Sequence, residues 1–298
     1  MTVEDDSMPE TEPRRSPTLR RRQLSAELRM LREAAGLTAV DVDRRLDWTP
    51  GKLARMERGH WQRPRPRDIT DLLDLYSVED DDRREYLLML ARQGRERDWW
   101  HPYRKMLSER YSTYLGLEAG AASLLTFQSG MLPGLIQTAD YARAIMRDGP
   151  AELSTDEIDA RVLIRAARQE LLTREQDPLR LVAVLDEAVL HRNVGGDAVM
   201  RDQLEQLLEL AELPRVTIQV APFDIGAHPG LSGPFTILQF PEPKDPDAAY
   251  SENIAGQLLL EEETDVERFQ VAYQRLIAVA ASPADSIAMI DRHKRAMT

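Results

Sequence analysis

The chain has 298 residues, a formal net charge of -12 and no cysteine, which excludes a disulfide framework, thiolate metal sites and a thiol nucleophile. No run reaches the roughly 18 apolar residues that a membrane helix requires, and the start, MTVEDDSMPETEPRRS, lacks the apolar segment of a signal peptide. A cytoplasmic protein with no membrane partner is expected.

The length suits two domains, and the charge is divided between them. Residues 14–67 hold 15 Arg or Lys against 6 Asp or Glu, whereas residues 1–13 carry -5 and residues 68–298 carry -16. A basic head on an acidic body points to a polyanion as partner for the head alone. Almost all of the positive charge is arginine; lysine occurs only at positions 52, 105, 244 and 294.

Residues 1–18 are acidic and then rich in Pro and Arg, which predicts a disordered arm. From 19 to 97 the pattern is helical throughout. Leu24, Leu28, Leu31 and Ala35 make one apolar stripe, and Gly36 is placed to end that first helix. The second starts at Thr38, with Asp41 three residues on as its capping partner, and runs to about Leu46. For the third, Thr49 reads as the N-cap and Pro50 as the first helical residue, where a missing N–H costs nothing. Leu53 and Met56 then face inward and Gly59 closes the helix. After a loop at 60–66, Ile69, Leu72, Leu73 and Tyr76 define a fourth helix, and Tyr86, Leu87, Leu90 and Ala91 a fifth. The expected head is all-α, with five helices, and its second and third helices are close enough for a helix-turn-helix.

Residues 98–110 read as an aromatic linker. Its Trp99, Trp100, His101 and Tyr103 suit domain packing better than stacking on bases. Residues 111–298 alternate helical and strand patterns, which predicts a mixed α/β or α+β domain. LLTFQSGMLPGLIQTADYARAIM reads as a strand, a turn and a helix; residues 154–175 as a long amphipathic helix; RLVAVLDEAVL as a strand running into Asp186 and Glu187. VTIQVAPF, GPFTILQF and QLLLEEE read as strands, and the end as two helices split at Ser282 and Pro283.

Within the head, LREAAGLT, the apolar positions Val42, Leu46, Leu53 and Met56, the closing ERG and the basic loop RPRPR resemble the lambda-repressor-like, Xre-type helix-turn-helix domain. The resemblance implies that the third helix enters the major groove of double-stranded DNA. It implies that Thr38, Arg63 and Arg65 hold phosphates or the minor-groove edge, and that Arg32 pairs with Glu57 as a brace. At the base-facing positions after Thr49 stand Pro50 and Gly51, neither with a side-chain donor. Direct readout therefore falls to Lys52 and Arg55, with Arg58 near the backbone. Three positions depart from the family pattern: Ala39, Asp43 and Asp47. Asp47 tolerates a left-handed turn. Asp43, in the tight angle between two helices, needs a partner such as Arg44 or Arg55, or must lean out to solvent.

The body resembles a family too. WWHPYRKML, YLGLEAGAA, SGMLPGLIQTADYARAIM, VLDEAVLHRNVGG and SPADSIAMI are similar to pieces of actinobacterial antitoxin-like regulators, in which such a head precedes an uncharacterised domain, domain of unknown function 5753. That resemblance implies pairing with a small protein encoded nearby.

Nothing in the body reads as an enzyme. Histidines 60, 101, 191, 228 and 293 show no close metal spacing, so no metal or cofactor is expected, and neither a Walker loop nor a dinucleotide fingerprint is present. Asp186 and Glu187 with His191 are the best chemical candidates, but helix capping and a salt bridge suit them better than catalysis. The loop PFDIGAHPGLSGPF is long enough to form a binding edge, with Phe223, His228 and Leu231 as its contacts for a ligand or partner. The leading expectation is a homodimeric transcriptional regulator on a palindromic operator, whose C-terminal domain senses a small-molecule effector or a protein. The alternative is an antitoxin-like protein that sequesters a small partner and autoregulates its operon.

Overall fold

The first helix begins earlier than its apolar stripe. In the computed structural model, which describes residues 16–59, 61, 63, 65–149 and 152–297, the Ser16 hydroxyl accepts the Leu19 amide and Pro17 supplies a preset φ at the first helical position. Helix α1 (Pro17–Ala34) thus starts inside the stretch expected to be a disordered arm; residues 1–15 lie outside the described residues.

The chain divides into two compact units at 120/121. The first contains α1, α2 (Ala39–Arg45), α3 (Lys52–Glu57), α4 (Pro66–Leu75), α5 (Asp81–Gln93), a 3-10 helix at His101–Met106, and α6 (Glu109–Gly120). Its core is built from the stripes seen in the sequence: Leu24, Leu28, Val42, Leu53, Ile69, Leu72, Leu73, Leu87 and Leu90 are fully buried. The stretch 98–110, expected to be a linker between domains, lies inside this unit. The reason is that α6 packs on α1 through two glycines. A Cβ at Gly116 would lie 2.3 Å from Thr18 Cβ, and one at Gly120 would lie 2.7 Å from Leu19 Cδ2. The Ser16 hydroxyl donates to the Gly116 carbonyl at the same contact.

The second unit is a mixed α/β domain. In chain order it contains β1 (Ser123–Gln128), α7 (Ala139–Arg147), α8 (Thr155–Thr173), β2 (Arg180–Asp186), α9 (Ala188–His191), α10 (Asp197–Ala211), β3 (Val216–Ala221), β4 (Phe235–Gln239), β5 (Ala248–Asn253), β6 (Gly256–Leu260), α11 (Glu263–Val279) and α12 (Pro283–Ala296). The strands form one sheet in the order β3-β2-β1-β4-β5-β6. β1, β2 and β3 run parallel, and β4, β5 and β6 continue antiparallel from β1.

The continuous apolar run of β2 follows from burial on both faces, as parallel strands require. Val182 and Val184 join Phe127, Phe235 and Ile237 under Tyr273 and Leu276 of α11. Leu181, Ala183 and Leu185, on the other face, are also fully buried. Tyr273 donates its hydroxyl hydrogen to the Val182 carbonyl at 2.6 Å, and burial pushes this phenol well above its usual range. The open edge at β3 is covered by the α11–α12 turn. The Ala281 amide donates to the Val220 carbonyl at 2.8 Å, and the Ser286 hydroxyl accepts the Val220 amide at 2.9 Å. Strand β5 escapes the sequence pattern because AAYSEN is short and half polar. Only its pairing with β4 and β6 makes it a strand.

Candidate nucleic-acid interface

Helix α2 is opened by the expected capping box. The Thr38 hydroxyl accepts the Asp41 amide at 3.1 Å, and Asp41 Oδ2 accepts both the Thr38 amide at 3.2 Å and the Thr38 hydroxyl at 2.5 Å. Hydrogen bonds from Thr38 hold the Asp41 carboxyl below its ordinary range, with Arg44 nearby adding to the effect. Asp47 adopts a left-handed φ of 52° in the turn that follows, a conformation its short polar side chain tolerates.

The start of α3 differs from the sequence reading. Thr49 is not its N-cap and Pro50 is not its first residue: the helix begins at Lys52, after Gly51 at φ 79°, and no side chain of the N-cap residue itself caps it. The free amides are met from α2 instead. Asp43 Oδ2 accepts the Gly51 amide at 2.7 Å and Asp43 Oδ1 accepts the Leu53 amide at 3.0 Å. Asp43 is 5% exposed, so neither an arginine partner nor a lean toward solvent is needed. This carboxylate locks α2 to α3 through two charge-assisted bonds.

A second lock joins α1 to the far end of α3. Arg32 Nε and Nη2 donate to the two carboxylate oxygens of Glu57 at 2.7 and 3.1 Å, and Arg32 Nη1 donates to the Leu37 carbonyl at 2.8 Å. The bond that Arg32 donates to Glu57 raises the guanidinium pKa further. Tyr76 packs beside these groups, and burial pushes its phenol well above its usual range. The loop after α3 is pinned as well: Trp61 Nε1 donates to Ser25 Oγ at 3.0 Å, and Ser25 in turn donates to the Met56 carbonyl at 2.6 Å. Neither Ser25 nor Trp61 stood out in the sequence, since their pairing spans 36 residues.

On this frame the expected readers separate. Lys52 Nζ is 3.0 Å from Asp68 of α4 and sits 3.6 Å from the ring centroid of Trp48. Its charge is therefore already engaged within the head. Arg55 is exposed on the next turn, with its guanidinium folded back over Gly51. Arg58 is exposed too, donating from Nε to the Ala54 carbonyl at 2.9 Å, and Arg63 and Arg65 are exposed in the loop leading to α4. Among the described residues these four arginines have no carboxylate partner. Thr38, Thr49 and Pro50 are exposed on the same helix-turn-helix segment. The fold thus provides a short braced helix and a pinned loop that carry uncompensated guanidinium groups, the group best matched to phosphate and to the guanine edge.

In the second unit, Asp186 ends β2 and its Oδ1 accepts the Ala188 amide at 2.9 Å; the expected helix cap is not formed, since Glu187 is the N-cap residue of α9 and its side chain makes no capping bond. Asp186 Oδ2 lies 3.5 Å from His228 Nε2, and His228 is enclosed against the Phe127 ring at 5.6 Å. Of the three loop residues, His228 is therefore an inward brace, whereas Phe223 and Leu231 are 58% and 69% exposed. Glu187, just before α9, and His191, at its end, are 3.3 Å apart. No described helix is long and apolar enough to cross a membrane.

A two-part architecture of this kind, a helical head with a braced helix-turn-helix and an α/β body, defines a DNA-binding regulator with an added domain. Residues 23–87 match the profile of a helix-turn-helix domain. Residues 111–292 match a second profile, described as a domain of unknown function (DUF5753), over more than half of the chain. The chain belongs to that family. No curated protein and no solved structure matches it.

Proposed function

We propose that this protein is a sequence-specific, homodimeric transcriptional regulator of the cytoplasm, acting by binding rather than by catalysis, and that its C-terminal domain senses a ligand or a protein. The observation that carries this reading is the set of exposed arginines, Arg55, Arg58, Arg63 and Arg65, on a helix and loop held by Asp43, Arg32, Glu57 and Trp61. Unpaired cations on a rigid support are what a phosphate backbone and a guanine edge require. A dimer presents two copies of α3 about 34 Å apart, so the operator is an imperfect palindrome.

The test is binding to the DNA upstream of its own gene, measured across salt concentrations. Arg55→Ala should relax base preference at one position by about 1–3 kcal/mol, whereas Arg65→Ala should weaken all sequences alike and lower the salt slope by about one. Binding that ignores both salt and sequence would remove the proposal.

The exposed Phe223 and Leu231 support a second reading for the body, an antitoxin-like contact with a small protein encoded nearby, of the kind that its actinobacterial resemblance implies. Co-expression followed by size-exclusion chromatography separates the two; elution of the small protein alone counts against this second reading.

A further inference from the structure

The fold gathers two histidines that are 102 residues apart and show no spacing motif. His191 Nε2 on α9 lies 3.1 Å from His293 Nε2 on α12 and 3.3 Å from Glu187 Oε1. Each of the three residues offers a donor atom within 4.8 Å of those of the other two. We propose that Glu187, His191 and His293 form a binding site for one divalent transition-metal ion of the zinc type, with the remaining coordination open to solvent.

Three features of the geometry point to a metal rather than to a plain hydrogen-bond cluster. The first is the count of lone pairs. His293 Nδ1 is 2.9 Å from the Met289 carbonyl, which can only accept, so Nδ1 carries the proton and the Nε2 of the neutral ring is bare. That bare nitrogen and Glu187 Oε1 both aim at His191 Nε2, which has at most one hydrogen to share between them.

The second is spacing. Bonds of about 2.05 Å at tetrahedral angles place neighbouring donors about 3.3 Å apart. Two edges of the triangle, 3.1 and 3.3 Å, are of that size.

The third is support from outside the donor set, which is the usual device for orienting metal ligands. The Phe223 amide donates to Glu187 Oε2 at 2.8 Å and thereby turns Oε1 toward the histidines. The Phe223 ring stacks on His191 with centroids 5.4 Å apart and planes at 28°. The Met289 carbonyl fixes the tautomer of His293. Two imidazoles and one carboxylate are a recurrent zinc donor set, in which water completes the shell. His191 is half-exposed, so an ion has a path in. The site lies at the carboxyl end of β2, in the region where open sheets with parallel strands place their ligands. An ion there would tie α9 to α12.

The experiment uses the full chain, free of any affinity tag and stripped with chelator, titrated with zinc chloride by calorimetry and by competition with a chromogenic chelator. The expected result is one saturable equivalent. Zinc should raise the melting temperature, because an ion held only by the folded state stabilises it. His191→Ala and His293→Ala should each weaken zinc binding by more than the roughly 10–100-fold that loss of an outer-shell partner costs, while His101→Ala leaves it unchanged. Cobalt(II) in place of zinc should give the intense visible bands of a low-coordinate nitrogen and oxygen site, lost in both His191→Ala and His293→Ala. Circular dichroism of the metal-free variants checks that they fold. The proposal is overturned if folded wild-type chain binds no stoichiometric zinc, or if binding survives the paired change of His191 and His293 to Ala.

Discussion

The head and the body each place an acidic residue at a junction between elements, and the two behave differently. Asp43, between α2 and α3, is buried and spends each carboxylate oxygen on a backbone amide. Glu187, between β2 and α9, spends only Oε2 on the Phe223 amide and turns Oε1 toward two imidazoles. A carboxylate whose acceptors are all used by the chain is part of the frame. One that keeps an oxygen toward two imidazoles belongs to the metal site proposed above.

Mutations that break the frame should have the largest effect. Asp43→Ala leaves two amides at the start of α3 without acceptors and removes a charged group worth more than a neutral cap. It should cost the head about 3 kcal/mol, read as a lower urea midpoint for the helical unit. If α3 keeps its stability, Asp43 is not the lock described above. Arg32→Ala comes next, at about 2 kcal/mol, since Glu57 is then left largely buried with neither guanidinium contact. A loss in the Arg32→Ala, Glu57→Ala double mutant equal to the sum of the two single-mutant losses would show that the pair contributes no coupling.

A smaller effect belongs to the exposed cap at Asp41. Its carboxyl is held below the ordinary value of 3.8 in the folded state. Its contribution is therefore fully present above that pH and is lost as pH falls through the lower, folded value. An NMR titration of the Asp41 carboxyl should show the depressed midpoint, and Thr38→Val should move it back toward 3.8. Smallest of all, His191→Ala should leave the stability of the metal-free chain within about 0.5 kcal/mol, as for a surface change. A large loss there would place the histidine cluster in the frame alongside Asp43 and erase the distinction between the two junctions.

The helices of the head were legible because their apolar stripes repeat at helical spacing and their ends carry short-range signals, as at Thr38 with Asp41. The start of α3 was not. Thr49 and Pro50 have the local chemistry of a helix start, yet the amides they would serve are met by Asp43 from the preceding helix. Ser16 and Pro17 carry an equally good local signal that the surrounding charge and proline content masked. In the candidate interface, the arginines were visible as charge, but the engagement of Lys52 by Asp68 joins residues of α3 and α4, and that by Trp48 reaches back across the turn before α3.

By itself, then, the sequence determined the elements whose causes lie within a few residues: helical stripes, caps, the apolar run of β2 and the basic bias of the head. The tertiary structure decided which polar groups far apart in the chain meet. Asp43 finds its amides 8 and 10 residues on and His191 faces His293 across 102, whereas the Arg32–Glu57 pair, 25 residues apart, was legible only through the family resemblance. Periodicity reports which face of an element is buried, but a polar contact is fixed by the path of the chain between its partners, and no local pattern encodes that path.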